Sequence, residues 1–197
     1  RLNSRAFCGH LPELCAYNFL ATPPVPRTRP QDSRVHANSL AGGLVPIVEP
    51  EVLMTGEHSI EQAECATQRT LAAVFKALAD HRVRLEATLL KPNMVCSGFS
   101  APIKALPAQV AAATLRCMQR GVPPALPGIM FLSGGMSEEE ATVALDAINR
   151  CDEGPKPWAL SFSFGRALQF SCLRAWQGHE EGTKAAQEAL FNRAKAS

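Results

Sequence analysis

From Leu44 onward, four short apolar runs each stop at charged or glycine residues, and a segment of helical period follows each one. Strands that alternate with helices fold as a parallel sheet, because every helical crossover returns the chain to the same end of the sheet. The runs are Leu44 to Val48, the start of LEATLLKPNM (Leu85 to Lys91), Gly128 to Leu132, and Ala159 to Phe164. The helices expected between and after them begin near Ile60, with Ser59 as N-cap, at Pro107, and after Ser137, where Glu140 completes a capping box. Two more, about Ala167 to Gln177 and Glu180 to Ala194, end the chain. The sequence therefore predicts an α/β fold of about four parallel strands with flanking helices.

The strands of a parallel barrel deliver their C-terminal ends to one face, where polar residues carry the chemistry. Here those ends read Glu49 and Glu51, then Lys91, then Ser133, Gly134 and Gly135, then Gly165 and Arg166. On a strand ending at Lys91, Ala87 and Leu89 share the lysine's face while Glu86, Thr88 and Leu90 point away. An amine behind apolar neighbours loses hydration, which frees its lone pair to attack a carbonyl. Each residue has an ordinary alternative: a solvated lysine with its stem on apolar surface, loop carboxylates, a tight turn, a surface ion pair. Exposed amides at a helix N-terminus are also an anion site. No GxSxG elbow, phosphate loop, dinucleotide glycine motif or HExxH is present, so Lys91 is the best candidate nucleophile.

The chain has 197 residues, 46% apolar and 19% charged, with a formal charge of +2, an ordinary balance for a globular protein. That balance gives no reason to expect nucleic acid or a membrane surface as partner. Seven cysteines lie scattered without a CxxC pair, so reduced thiols are expected in place of a disulfide scaffold or zinc ribbon. Arg1 to Arg34 carries five arginines, no lysine, two acids and five prolines. Proline at that density opposes helix, so residues 1–35 are expected to be an extended or disordered segment distinct from residues 36–197. A transit peptide is one reading of its arginines, and a foreign stretch fused to the rest is the better one.

The strings LEATLLKPNMV, GLVPIVEPEVL, FLSGGMSEEEA and KPWALSFSFGRALQ resemble, in order and near spacing, segments of class I fructose-bisphosphate aldolases, with a weaker echo in HANSLA. The resemblance implies the TIM barrel fold, of which 197 residues supply about the C-terminal half, since such barrels typically need about 250. It also implies roles. Lys91 forms an imine with dihydroxyacetone phosphate, Glu49 moves protons during imine formation and dehydration, and Glu51 tunes charge beside it. Ser133, Gly134, Gly165 and Arg166 bind the substrate phosphate. The implied reaction is reversible cleavage of fructose 1,6-bisphosphate to dihydroxyacetone phosphate and glyceraldehyde 3-phosphate, in glycolysis and gluconeogenesis or the plastid carbon cycle. No metal or other cofactor is implied; a homotetramer in the cytoplasm or plastid stroma is.

The sequence departs from the family in several places. Ala87 and Phe164 stand where the family has glycine and tyrosine. The helix that leads into the glutamate strand looks deleted between Ala41 and Gly43. The family's first-strand aspartate, two lysines and an arginine from its middle strands have no counterpart, because the first lysine here is Lys76. The chain also stops before the family's C-terminal tail. Little activity of the chain alone is therefore expected. Two other readings keep parts of the pattern: another Schiff-base barrel lyase or transaldolase-like enzyme, and a non-catalytic interaction protein derived from the family.

Overall fold

The computed structural model describes residues 30–197, with side chains from His36 onward. The stretch up to position 29, and the disorder expected of it, lie outside the described residues. Helix α1, Pro30–Ala41, comes first. Residues 30–34 are thus helical and not extended, because Pro30 sits in the first turn, where a missing N–H costs nothing. The helix ends at Ala41, and the His36 ring Nε2 lies 3.3 Å from the Ile47 carbonyl oxygen.

The sheet contains β1 (Ile47–Val48), β2 (Leu89–Leu90), β3 (Gly128–Phe131) and β4 (Ala159–Phe162), in that spatial order and all parallel. Ile47 is level with Leu89, Leu89 with Gly128, and Gly128 with Ala159. One face of this ladder carries Val48, Leu90, Ile129 and Phe131, all buried against the helices. The core lies between that face and α2 (Ile60–Asp80), α3 (Pro107–Gly121) and α4 (Glu138–Arg150). Helices α5 (Arg166–Trp176) and α6 (Thr183–Ala196) follow β4.

The helix starts form as their sequences dictate. Ser59 and Ser137 each accept the N3 amide while Gln62 and Glu140 return a bond to the cap backbone, so both are complete capping boxes. On α2, Ala63, Leu71, Val74 and Leu78 are buried at helical spacing. Across the α2–α3 seam, the Arg116 Nε and Nη2 atoms hold the two Glu64 carboxylate oxygens at 3.1 and 3.0 Å.

Two strand expectations need correction. Leu85–Ala87 is a 3₁₀ turn, closed by the Thr88 amide on the Leu85 carbonyl (3.0 Å) and the Thr88 hydroxyl on the Arg84 carbonyl (3.0 Å). Hence Ala87 does not lie on the lysine's strand face; only Leu89 does. Leu44 and Val45 are not a strand covered on both sides either, being 66% and 63% exposed, and β1 begins at Ile47, itself half exposed. The face bearing Ile47 and Ala159 is uncovered among the described residues because four parallel strands form an open arc, where a closed barrel would fill its interior.

Candidate active site

The parallel ladder fixes the site's geometry before any side chain is considered. Val48 pairs with Leu90, so the next residues along each strand, Glu49 and Lys91, emerge side by side on the open face. The Lys91 amide still donates to the Val48 carbonyl at 2.7 Å, and Pro92, whose carbonyl accepts from Leu132 at 3.0 Å, carries the chain on toward β3. The side chains then meet: Lys91 Nζ lies 3.0 Å from Glu49 Oε1, and each is largely shielded, at 21% and 31% exposure.

Glu51 is the second carboxylate of the turn. Burial pushes its carboxyl above the ordinary range and the neighbouring Glu49 charge pushes it further, while Arg166 and Lys91 pull it back. Those influences put Glu49, Lys91 and Arg166 within electrostatic reach of Glu51. Gly134 closes the group. Its φ of +55° lies in the left-handed region, and a Cβ there would stand 3.7 Å from Glu51 Oε1 and 3.3 Å from Met54 Sδ. Across the same turn, Arg166 Nη2 donates to the Gly134 carbonyl at 2.9 Å.

Ser133 and Gly165 frame this cluster differently. Ser133 is buried at the root of the β3–α4 turn, where its carbonyl accepts the Met136 amide at 3.0 Å. Gly165 is exposed at the rim as the N-cap of α5, and its carbonyl accepts from Leu168 and Gln169. The structure thus joins Lys91 to Glu49 directly and gathers Glu51, Gly134 and Arg166 around them, with Ser133 beneath and Gly165 beside. An amine, two carboxylates and a guanidinium at one mouth suit a carbonyl compound that carries an anionic group. Among the described residues, no three His, Cys, Asp or Glu side chains gather as a metal site requires. No helix there is long and apolar enough to cross a membrane.

Sequence reasoning passed over Asn93. Its Oδ1 accepts the Val52 amide at 2.9 Å, and its Nδ2 donates to the Met94 carbonyl at 3.1 Å. With Asn93 4% exposed, this bond ties the glutamate turn to the lysine turn inside the protein. The only available signal was a polar residue in the otherwise apolar run after Lys91.

A family model described as class-I fructose-bisphosphate aldolase matches residues 33–197. Among curated proteins, the chain is 55% identical over 155 residues to fructose-bisphosphate aldolase C of Pan troglodytes, covering 79% of this chain and 42% of that one. It is 60% identical over 155 residues to the cytoplasmic isozyme of Cicer arietinum, with 79% and 43% covered. A solved ternary complex of fructose-bisphosphate aldolase from Plasmodium falciparum with TRAP and a small-molecule inhibitor superposes with a TM-score of 0.80 at 52% identity. That superposition covers 83% of this chain and 47% of the solved one. The chain thus spans less than half the length of each of these relatives.

Proposed function

The chain belongs to the class I fructose-bisphosphate aldolase family, and from that we propose that its strand-end cluster is the Schiff-base part of an aldolase site. The observation that carries this reading is the 3.0 Å contact between Lys91 Nζ and Glu49 Oε1. A lysine nucleophile must give up a proton before it attacks, and a carboxylate in contact with it is the acceptor. Lys91 adds to the ketone carbon of fructose 1,6-bisphosphate, and the resulting carbinolamine loses water as Glu49 returns the proton to the departing hydroxyl. The iminium then draws in the electron pair of the C3–C4 bond while the C4 hydroxyl gives its proton to Glu49, ionised again after the dehydration, and becomes the aldehyde carbonyl. Glyceraldehyde 3-phosphate leaves, and dihydroxyacetone phosphate stays on Lys91 as an enamine until protonation and hydrolysis free it.

Glu51, half-buried against Glu49, modulates the charge of the pair. The substrate phosphate lies against the Ser133–Gly134 turn and the start of α5 at Gly165, with Arg166 moving from the Gly134 carbonyl to the anion. Backbone amides at a helix start and a guanidinium are strong phosphate donors. Groups that the resemblance assigns to the family's first half have no counterpart in the sequence. The 197-residue chain is therefore proposed to form the imine while turning over little substrate. Assembly as a homotetramer and a place in the cytoplasm belong to the same proposal, the latter supported by plant relatives named cytoplasmic isozymes.

Borohydride reduction in the presence of dihydroxyacetone phosphate tests the reading. A stable mass increase on Lys91, absent in Lys91→Met, is the expected result. Label on other lysines alone, with Lys91 unmodified in the folded chain, would overturn it.

A further inference from the structure

Glu138 opens α4, immediately after the glycine turn, yet it behaves unlike the acids beside it. Glu139 and Glu140 are exposed, and Glu140 serves the capping box; Glu138 is 8% exposed. A carboxylate leaves water at a cost unless hydrogen bonds replace its hydration. Those bonds come from the next helix. Glu138 Oε1 accepts the Ser171 amide at 3.1 Å, and Oε2 accepts the Ser171 hydroxyl. From the other side, Arg193 Nη2 on α6 donates to the Glu138 main-chain oxygen at 2.7 Å and to Thr142 Oγ1 at 2.8 Å.

The placement of this bridge matters more than its strength. Ser171 lies on α5 little more than one turn beyond Arg166, and Glu138 lies on α4 just beyond Ser133 and Gly134. The two proposed phosphate-holding turns are therefore joined twice. One link is at the mouth, from Arg166 to the Gly134 carbonyl, and the other is deeper, from Glu138 to Ser171. The mouth link uses the same guanidinium that would hold the anion, so it is not independent of ligand binding. The β3–β4 ladder sets the roots of the two turns, and the deeper link ties the helices that follow them, α4 to α5, whatever Arg166 does.

We infer that Glu138 is a positioning residue, resting on the reading of Lys91 and the phosphate wall above. It sets the distance between the Ser133–Gly134 turn and the Gly165–Arg166 turn so that both reach one phosphate. Misplacing donors by about 1 Å costs up to about 100-fold in a bound geometry, so losing the bridge weakens selection for the phosphate without touching the amine.

The test measures borohydride trapping on the 197-residue chain against ligand concentration, once with dihydroxyacetone phosphate and once with dihydroxyacetone, which has no phosphate. Glu138→Ala is expected to raise the half-saturating concentration of dihydroxyacetone phosphate about 10-fold. Its maximal rate and its dihydroxyacetone curve should stay unchanged. Glu138→Gln keeps an acceptor for the Ser171 amide and should recover most of the loss, with Ser171→Ala in between. An equal shift for both ligands would reduce Glu138 to a structural role, and no shift for either would leave it no role in binding. Either result overturns the inference. If the unaltered chain traps neither compound, the lysine reading fails first and the inference falls with it.

Discussion

Asn93 and Val52 are 41 residues apart in the chain and joined by a 2.9 Å hydrogen bond inside the protein, two residues past Lys91 and one past Glu51. The bond sets the lysine and the glutamates in register beyond the end of the β1–β2 ladder. Val52 is 2% exposed, so its amide has no route to water if the Asn93 oxygen is removed. An orphaned buried donor costs about 1–3 kcal/mol. Asn93→Ala is therefore expected to lower unfolding stability by about that much in a urea titration, and to slow trapping at Lys91 as the Glu49 turn loosens. An unchanged midpoint together with an unchanged trapping rate would show that the bond holds nothing in place.

Glu51 gives the fold a pH dependence of defined sign. Its carboxyl is raised above the ordinary 4.5 in the folded chain, first by burial and then by Glu49. The folded state thus binds that proton more tightly than the unfolded chain does. The resulting stabilisation is fully present below the unfolded value and is lost as pH rises through the raised folded value. At pH 7 the ionised carboxylate is a net cost, reduced by solvent because the group is only partly buried. Glu51→Gln is expected to raise the melting temperature by about 1–3 °C at pH 7, with the gain shrinking as pH falls toward 4. Melting curves of both proteins between pH 4 and 8 check this; a gain that grows on acidification would reverse the assignment.

The alternation of apolar runs with helical periods made the parallel sheet legible, and the N-cap at Ser59 and the capping box at Ser137 formed where their sequences placed them. Both are local signals, written within a few residues. The strand ends were legible for a related reason, since in a parallel sheet they all arrive on one rim. What escaped was decided elsewhere in the fold. Leu85–Ala87 alternates in hydropathy as a strand would, yet bonds with its own neighbours closed it into a turn. Leu44 and Val45 are as apolar as buried residues, but which side of a strand is covered depends on elements far away in sequence. Asn93 and Glu138 escaped because a polar residue's partner 33 or 41 positions away leaves no periodic trace.

Gly98 is held by sterics. A Cβ there would sit 2.2 Å from the Gly56 carbonyl oxygen, and the Gly98 amide already donates to the His58 carbonyl at 2.9 Å. The obstacle is backbone, so no rotamer change relieves it and the two loops must separate. Gly98→Ala is expected to cost about 1–3 kcal/mol by urea titration. Gly165→Ala, where a Cβ meets nothing within 4 Å, is expected to stay within about 0.5 kcal/mol. Equal effects at the two positions would rule out the close approach of Gly98 to Gly56.

The five thiols of the described residues should divide into two classes by burial. Burial pushes the Cys96 and Cys117 thiols up to about 12, with Glu140 adding to the first and Glu64 to the second. Because the thiolate is the reactive form, a thiol of that kind is ionised in only about one molecule in 10,000 at pH 8. Cys65, Cys151 and Cys172 are partly exposed. N-ethylmaleimide applied to the folded chain at pH 7.5 is expected to alkylate these three first, leaving Cys96 and Cys117 unmodified until denaturant is added. Peptide mass spectrometry along a time course reads each site separately. Modification of Cys117 at the same rate with and without urea would mean that the α2–α3 seam around it opens freely, against the packing that buries it beside the Glu64 carbonyl.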